Sequence, residues 1–416
     1  MSGVHSIAGV PTSITAFVGR TPRGPANMPL TVVSFAQFER DFGGLDFDHP
    51  LGSAVQHFFA NGGDTAVIVR LRVSEGTARV QDFIGSAADG SGLHALARAD
   101  LFNLLCIPPD RRGGDTPKEV LQEALSLCVR RRAMLIVDPP AGWSDVDAIT
   151  RNGQAGLGEL GLAGEGARNA ALYFPRVIAP DPLRGGQPDT FAPCGMVAGV
   201  IARTDRTRGV WNAPAGGDAT LTGASGLQVA LTDEHTGRLG PLGVNVLRGF
   251  AGRGIVVWGA RTLRGAEAPG DEYKYIPLRR LALYLEESLY RGTQWTVTEP
   301  NDEPLWACVR LSVGSFMHAL FRQGAFQGRA PNEAYFVRCG RDTISEQEID
   351  NGNLNIVVGF AALKAAEFVV IEIGQMLGRS RSSGERSGAS LLRRLGYGLA
   401  RLRCRIRIWI AQARVR

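Results

Sequence analysis

The sequence predicts an α/β region followed by a compact α+β domain. Three observations carry that reading. Short apolar β runs alternate with helical segments through the first 140 residues, which suggests a layered architecture with part of its sheet parallel. Two amphipathic helices and then several strands follow between 256 and 376. The 416 residues are 44% hydrophobic and 21% charged, an ordinary globular balance on a chain long enough to bury a large core without disulfides.

The elements follow in order. Residues 14–18 read as a strand, broken by Gly19 and Pro22-Arg-Gly-Pro25. A helix fits 34–42, with Ser34 as N-cap and Gly43-Gly44 as the stop. A second fits 51–60 and ends at Asn61-Gly-Gly63, and 66–69 is a buried strand. Residues 101–107 form another strand, stopped by Pro108-Pro109. A helix from about 117 to 131 follows, with Thr116 as N-cap and Pro117 at the first helical position, then a strand at 134–137. From 151 to 254 Gly and Pro are dense, and the stretch reads as loops with short strands near 172–174, 228–231 and 255–258. Leu278, Leu281, Leu285 and Leu289 share one helical face between Pro277 and Gly292. Leu305, Val309, Val313, Phe316 and Leu320 form a second stripe, with Asp302 near its cap and Gly324 after it. A strand near 334–339, the turn Asn351-Gly352, the alternation Leu354, Ile356, Val358 and a strand at 368–373 complete the α+β domain.

Charge is unevenly placed. The net charge is +6, but residues 377–416 hold eleven Arg against Glu385, a net +10. The other 376 residues carry 35 basic and 39 acidic groups, a net −4. A mildly acidic body argues against a nucleic-acid-binding one. Cys106, Cys128, Cys194, Cys308, Cys339 and Cys404 lie far apart and form no metal or CxxC spacing, so buried thiols in a reducing compartment are expected. No signal peptide or bilayer-length apolar run is evident, and a cytoplasmic site of synthesis is expected.

The search for chemistry fails informatively. Lys118, Lys274 and Lys364 precede Glu, Tyr and Ala, which excludes a P-loop of the Walker pattern. Gly156-Leu-Gly-Glu-Leu-Gly161 matches GxGxxG, but nothing strand-like precedes it, so a glycine-rich loop is expected. There is no GxSxG and no HExxH. His5, His49, His57, His94, His235 and His318 have no partner at metal-ligand spacing, and His318 reads as a satisfied structural histidine. Glu286-Glu287 are adjacent on a helix and do not face each other. Glu299-Pro-Asn-Asp-Glu303 reads as a loop and cap in preference to a cation site. No catalytic, cofactor or metal residue is assigned, and no enzyme activity is expected.

Local strings then point to a family. They are Gly9-Val-Pro-Thr-Ser-Ile-Thr-Ala-Phe-Val-Gly19, Ser34-Phe-Ala-Gln-Phe-Glu-Arg-Asp-Phe-Gly43, Phe58-Phe-Ala-Asn-Gly-Gly63, Pro182-Leu-Arg-Gly-Gly186, Gly209-Val-Trp-Asn-Ala-Pro-Ala215 and Val257-Trp-Gly-Ala-Arg-Thr-Leu263. Glu286-Glu-Ser288, Gly292-Thr-Gln-Trp295, Glu299-Pro-Asn301, Glu303-Pro-Leu-Trp306, Gln327-Gly328, Phe336-Val-Arg-Cys339 and Ile349-Asp-Asn-Gly352 continue the series. In their order and number they resemble the contractile phage tail sheath proteins, including the sheaths of contractile injection systems, from about residue 3 to 376. The resemblance implies a subtilisin-like α/β region over 1–255 and a sheath C-terminal α+β domain over 256–376; the Arg-rich tail at 377–416 that follows reads as either disordered or an amphipathic helix. It also implies a structural subunit that polymerises helically around an inner tube and contracts to drive the tube through an envelope. The implied partners are other copies of the chain, the inner tail tube protein, the baseplate and the tail terminator. The implied place is a virion tail or injection-system sheath assembled in the bacterial cytoplasm.

Sheath subunits stay linked through strands donated to a neighbour's sheet edge, a form of β-augmentation. The inter-subunit strand candidates here are Val4, His5, Ser6 and Ile7 at the start, and Phe368, Val369, Val370, Ile371 and Ile373 near the end. Two departures stand beside the resemblance: the family usually has a longer arm before the first strand, and it normally ends soon after Gly374-Gln-Met376. In the tail, Leu391, Leu395, Leu399, Leu402, Ile406, Trp409, Ile410 and Ala413 share a helical face, with Arg393, Arg394, Arg401, Arg403, Arg405 and Arg407 outside it. A basic amphipathic helix on a membrane, and a read-through extension in a GC-rich gene, are both readings of that pattern. The alternative function is a sheath-derived binding module that the tail targets to a membrane or nucleic acid. A hydrolase on the subtilisin-like scaffold is disfavoured by the absent Ser/His/Asp set.

Overall fold

The computed structural model describes residues 5–73, 76–150, 156–265 and 271–377. Val4 and the tail pattern lie outside the described residues. The chain divides into two units, Pro11–Leu283 and a second made of the residues up to Val10 and from Tyr284 onward. The division falls inside the helix Ile276–Gly292, past residue 256 where the sequence reading drew it.

The larger unit holds β1 (Thr15–Gly19), β2 (Leu30–Val32), β3 (Ala66–Arg70), β4 (Leu104–Cys106), β5 (Met134–Val137), β6 (Ala170–Phe174), β7 (Val177–Asp181), β8 (Gln187–Phe191), β9 (Gly226–Leu227), β10 (Val244–Phe250) and β11 (Gly254–Val257). Eight form one sheet in the order β11-β10-β6-β5-β4-β1-β3-β2. The six inner strands run parallel, and β2 and β11 add antiparallel edges. Strand alternation explains why the sheet is covered on both faces. Phe17, Ile68, Leu104, Ile136 and Tyr173 enter one apolar cluster, while Val18, Val69, Leu105, Val137 and Leu172 enter the other. Both sets are buried, as the near-continuous apolar strands of parallel sheets require. A smaller sheet has the order β8-β7-β9.

The helices carry their expected signals, with one correction. Ser34 caps Phe35–Phe42 by accepting from Gln37 N–H, and Gly43 ends it in the left-handed region at φ 98°. Leu51–Ala60 forms as expected. Thr116 is not the cap of the next helix: Lys118–Arg130 starts after an extended Pro117, and the Thr116 hydroxyl donates to Ile107 O instead. Asp302 does cap Glu303–Arg322, accepting from Leu305 N–H, so the acidic run around it is a helix start.

The stretch 151–254 is more structured than its Gly and Pro content suggests. It holds the 15-residue helix Cys194–Arg208, buried from Cys194 to Ala202, and the seven-residue β10. Residues 228–231 are not a strand; the nearby pairing is Gly226–Leu227 against β7. The GxGxxG string forms a 3₁₀ turn at Gly156–Leu160, after the short helix Val146–Thr150.

Candidate functional site

The second unit carries a strand where the sequence predicts one at 368–373. Its strands are β12 (Tyr335–Arg338), β13 (Asn353–Ala361) and β14 (Phe368–Met376), in the antiparallel order β12-β13-β14. The inner face of the hairpin pairs Phe360 with Val369, Val358 with Ile371 and Ile356 with Ile373. Ile356, Val358, Phe360, Ile371 and Ile373 are all buried. On the opposite face Phe368 meets the Phe336 ring edge-on at 5.1 Å, and Val370 lies opposite Gly359. Side chains therefore fix the register of β14, since a one-residue slip would expose its apolar set. Among the described residues β14 pairs only with β13, so its outer main-chain edge is unpaired. Gln375, which the sequence reading passed over, anchors the strand by donating to Tyr290 O at 2.8 Å and Thr293 Oγ1 at 2.9 Å.

The N-terminal candidates are placed differently. His5, Ser6 and Ile7 form no strand. The segment lies on helices of its own unit instead. His5 N–H donates to Ser312 Oγ, and its ring stacks on Trp295 with centroids 4.0 Å apart. Ile7 is buried against Gly292, and Val10 N–H donates to Ser288 Oγ.

The larger unit has a different feature. In open α/β sheets the crevice outside the carboxyl ends of the strands, where strand order reverses, is the usual ligand site. Here the reversal falls between β1 and β4. The crevice is largely filled by the chain's own ion pairs. Arg20 grips Asp110 through two nitrogens, at 2.6 and 3.0 Å. Arg112 donates to Asp181 at 2.5 Å and Asp189 at 2.9 Å, and lies over the Phe47 ring at 4.5 Å. Arg176 donates to Asp115 at 2.8 Å. Burial pushes Asp181 up, but the Arg112 hydrogen bonds and the Leu183 N–H outweigh it and hold the carboxyl below its usual range. A cavity of about 30 Å³ remains beside His57, Arg111 and Arg176.

Nearby titratable groups are set for structure. Cys194 opens the buried helix with its N–H donating to Asp138 Oδ1 at 2.8 Å. A hydrogen bond with Cys106 and burial push the Cys194 thiol well above its ordinary range, which disfavours the nucleophilic thiolate. Burial raises Asp138 to about 6, against the partial offset of Cys194 and Arg176, and lowers His57 to about 4. Five of the six cysteines are buried free thiols, and Cys404 lies outside the described residues. Among the described residues no group of three His, Cys, Asp or Glu is placed to hold a metal, and no helix is long and apolar enough to cross a membrane. His318 is exposed, with Nδ1 3.2 Å from the Tyr335 hydroxyl.

Residues 91–263 match the family model of the phage tail sheath protein central domain. The tail sheath protein of Vibrio phage KVP40 is 33% identical over 110 residues, 26% of this chain and 16% of that protein. The tail sheath protein of Burkholderia phage BcepMu is 24% identical over 220 residues, 51% of this chain and 44% of that one. The chain thus spans less than half the length of these curated relatives. The helical sheath of the anti-feeding prophage in its contracted state is 29% identical, with a TM-score of 0.70 over 92% of this chain and 97% of that one. By these comparisons the chain is similar to contractile tail sheath proteins, in its central sequence and in its fold.

Proposed function

We propose that this chain is a subunit of a contractile sheath, polymerising helically around an inner tube and contracting to drive the tube through a target envelope. The observation that carries the reading is the unpaired edge of the nine-residue β14. Main-chain groups along such an edge pair with another chain by default unless something covers them. A head-to-tail contact of this kind that does not close into a ring grows as an open helix. Contraction then needs two packings of the same subunits with different energies, the extended one trapped by assembly on a baseplate. A small difference per copy, summed along the polymer, makes the stroke effectively irreversible. No nucleotide site is needed for that.

Within this reading the α/β body is of the subtilisin-like kind, supported by its central parallel sheet, covered faces and buried helix at Cys194–Arg208. Phe368, Val369, Val370, Ile371 and Ile373 belong to the strand that receives or donates an edge. His5 and Ile7 anchor the start of the chain to helices of its own subunit. The partners are further copies, the tube protein, the baseplate and the terminator, and the sheath is assembled in a bacterial cytoplasm.

Negative-stain electron microscopy of the purified full-length protein, alone and with tube protein, tests the proposal. Striated hollow tubes of uniform width are expected. Monodisperse monomers under both conditions would remove it.

A further inference from the structure

We propose that the outer face of the β12-β13-β14 sheet is a docking surface for the chain's own segment 391–413, whose apolar residues cover the sheet while its arginines meet the acids at one end of that face. Register defines the face. Ile356, Val358, Phe360, Ile371 and Ile373 point inward and are buried, so the alternate positions Phe336, Val357, Phe368, Val370 and Met376 share the opposite side. A Cβ at Gly359 would overlap the Phe336 ring, so that ring lies down on the sheet. Phe336, Val357 and Phe368 are only half-buried, and Met376 is 69% exposed. A contiguous apolar face left open in this way marks a contact surface.

Charge names the occupant. Residues 11–283 carry 28 basic and 27 acidic side chains, while 284–377 carry seven and twelve, so the acidic excess of the body lies wholly in the small unit. Glu372 lies on the outer face opposite Val357, and its carboxylate has no hydrogen bond or ion pair among the described residues. Arg338, across Val357 on the other side, is held over the Phe336 ring at 5.1 Å. Asn355 on the same face donates to Glu348 at 2.9 Å, which sets the short helix Glu346–Asp350 against this end of the sheet. Asp350 at the close of that helix is exposed and has no ion pair among the described residues. The chain leaves the sheet at this acidic end, where Leu377 N–H donates to Gly352 O at 2.7 Å. Thirteen residues then precede Leu391, enough to reach about 40 Å, whereas a nine-residue strand is about 30 Å long. Leu391, Leu395, Leu399, Leu402, Ile406 and Trp409 recur every three or four residues among the arginines, as an apolar face with a basic back requires. Tethering holds this segment near the face at high effective concentration, an advantage that a separate partner lacks.

Limited trypsin digestion of the full-length protein tests the docking, with cleavage after the arginines of 391–413 followed by mass spectrometry. Cleavage of a docked segment tracks the fraction of time it is released. Leu399→Asp breaks the apolar face of the segment without touching the sheet, and Glu372→Lys reverses the charge on the sheet without touching the segment. Each is expected to speed cleavage at these arginines by about tenfold or more over the wild type. The wild-type rate is expected to stay constant on dilution, because the contact lies within one chain. Equal rates in the wild type and both variants would overturn the proposal. Protection that fades on dilution would give the face to a second copy, and protection that arises only with added vesicles of anionic lipid would give the segment to a membrane; either result removes the contact within the chain.

Discussion

His57 and Asp138 lie toward the same end of the large sheet and titrate in opposite senses. Burial lowers His57 from 6.5 to about 4, so its contribution is full above 6.5 and is lost as pH falls through about 4. Burial raises Asp138 from 3.8 to about 6, so its contribution is full below 3.8 and is lost as pH rises through about 6. Across pH 4–6 the two offset each other, and removing either exposes the other. Asp138→Asn keeps the acceptor for Cys194 N–H and removes the buried charge. Its stability relative to the wild type is expected to be on the order of 2 kcal/mol better at pH 7.5 than at pH 4, read by urea unfolding. An equal difference at both pH values would show that the carboxylate titrates normally. A second residue-scale test concerns Arg280 and Asp205, paired at 2.6 Å with both side chains 3% exposed. Asp205→Asn leaves the guanidinium buried without its counter-charge and is expected to cost about 3–5 kcal/mol. Replacing both residues with apolar ones should recover most of that loss, and a double variant as unstable as the single would refute the pairwise account.

At the scale of elements, the helix Cys194–Arg208 depends on close approach. A Cβ at Gly195 would overlap the Ala54 carbonyl oxygen, and one at Gly199 would come within 2.5 Å of Phe58 O. Gly195→Val is therefore expected to destabilise by several kcal/mol, although Val itself suits a buried site. An unfolding midpoint unchanged from the wild type would mean that the two helices can part without cost. The same helix shows where sequence reading fails. Phe35–Phe42 announced itself through Ser34, a polar face and Gly43. Cys194–Ala202 has no polar face, because the sheet and neighbouring helices cover it all round, and without one the 3.6-residue period disappears. The β14 strand was legible because Phe360, Val358 and Ile356 opposite it leave a period of two. The seat of His5 on Trp295 and the grip of Arg112 on Asp181 were not legible, because each joins residues far apart in the chain. Proline along β14 tests the edge. In an antiparallel edge strand successive N–H groups alternate between the partner and the outside. Of Val369→Pro, Val370→Pro and Ile371→Pro, those that lose an outward N–H should fold and fail to form tubes, while the others should lose stability first. Normal tubes from every soluble variant would rule out pairing through this edge.

At the scale of the whole molecule, charge separates the body from the tail. Removing residues 378–416 takes away eleven Arg and one Glu and leaves a chain with a net charge of −4. Nonspecific binding to polyanions follows clustered basic charge and falls steeply with salt. The full-length protein is expected to bind heparin at low ionic strength, and the shortened one to pass through. If tubes form through the β14 edge as proposed, tube formation is expected to survive, because that strand ends at Met376, before the deletion begins. The shortened body keeps both apolar clusters of the large sheet and the β12-β13-β14 sheet intact, so a loss of tubes could not be ascribed to a damaged core. Tubes without heparin binding would place assembly in the body and confine the basic charge to a separate role. Loss of tubes together with loss of heparin binding would instead make the tail part of the assembly contact, and the β14 edge alone would no longer account for polymerisation.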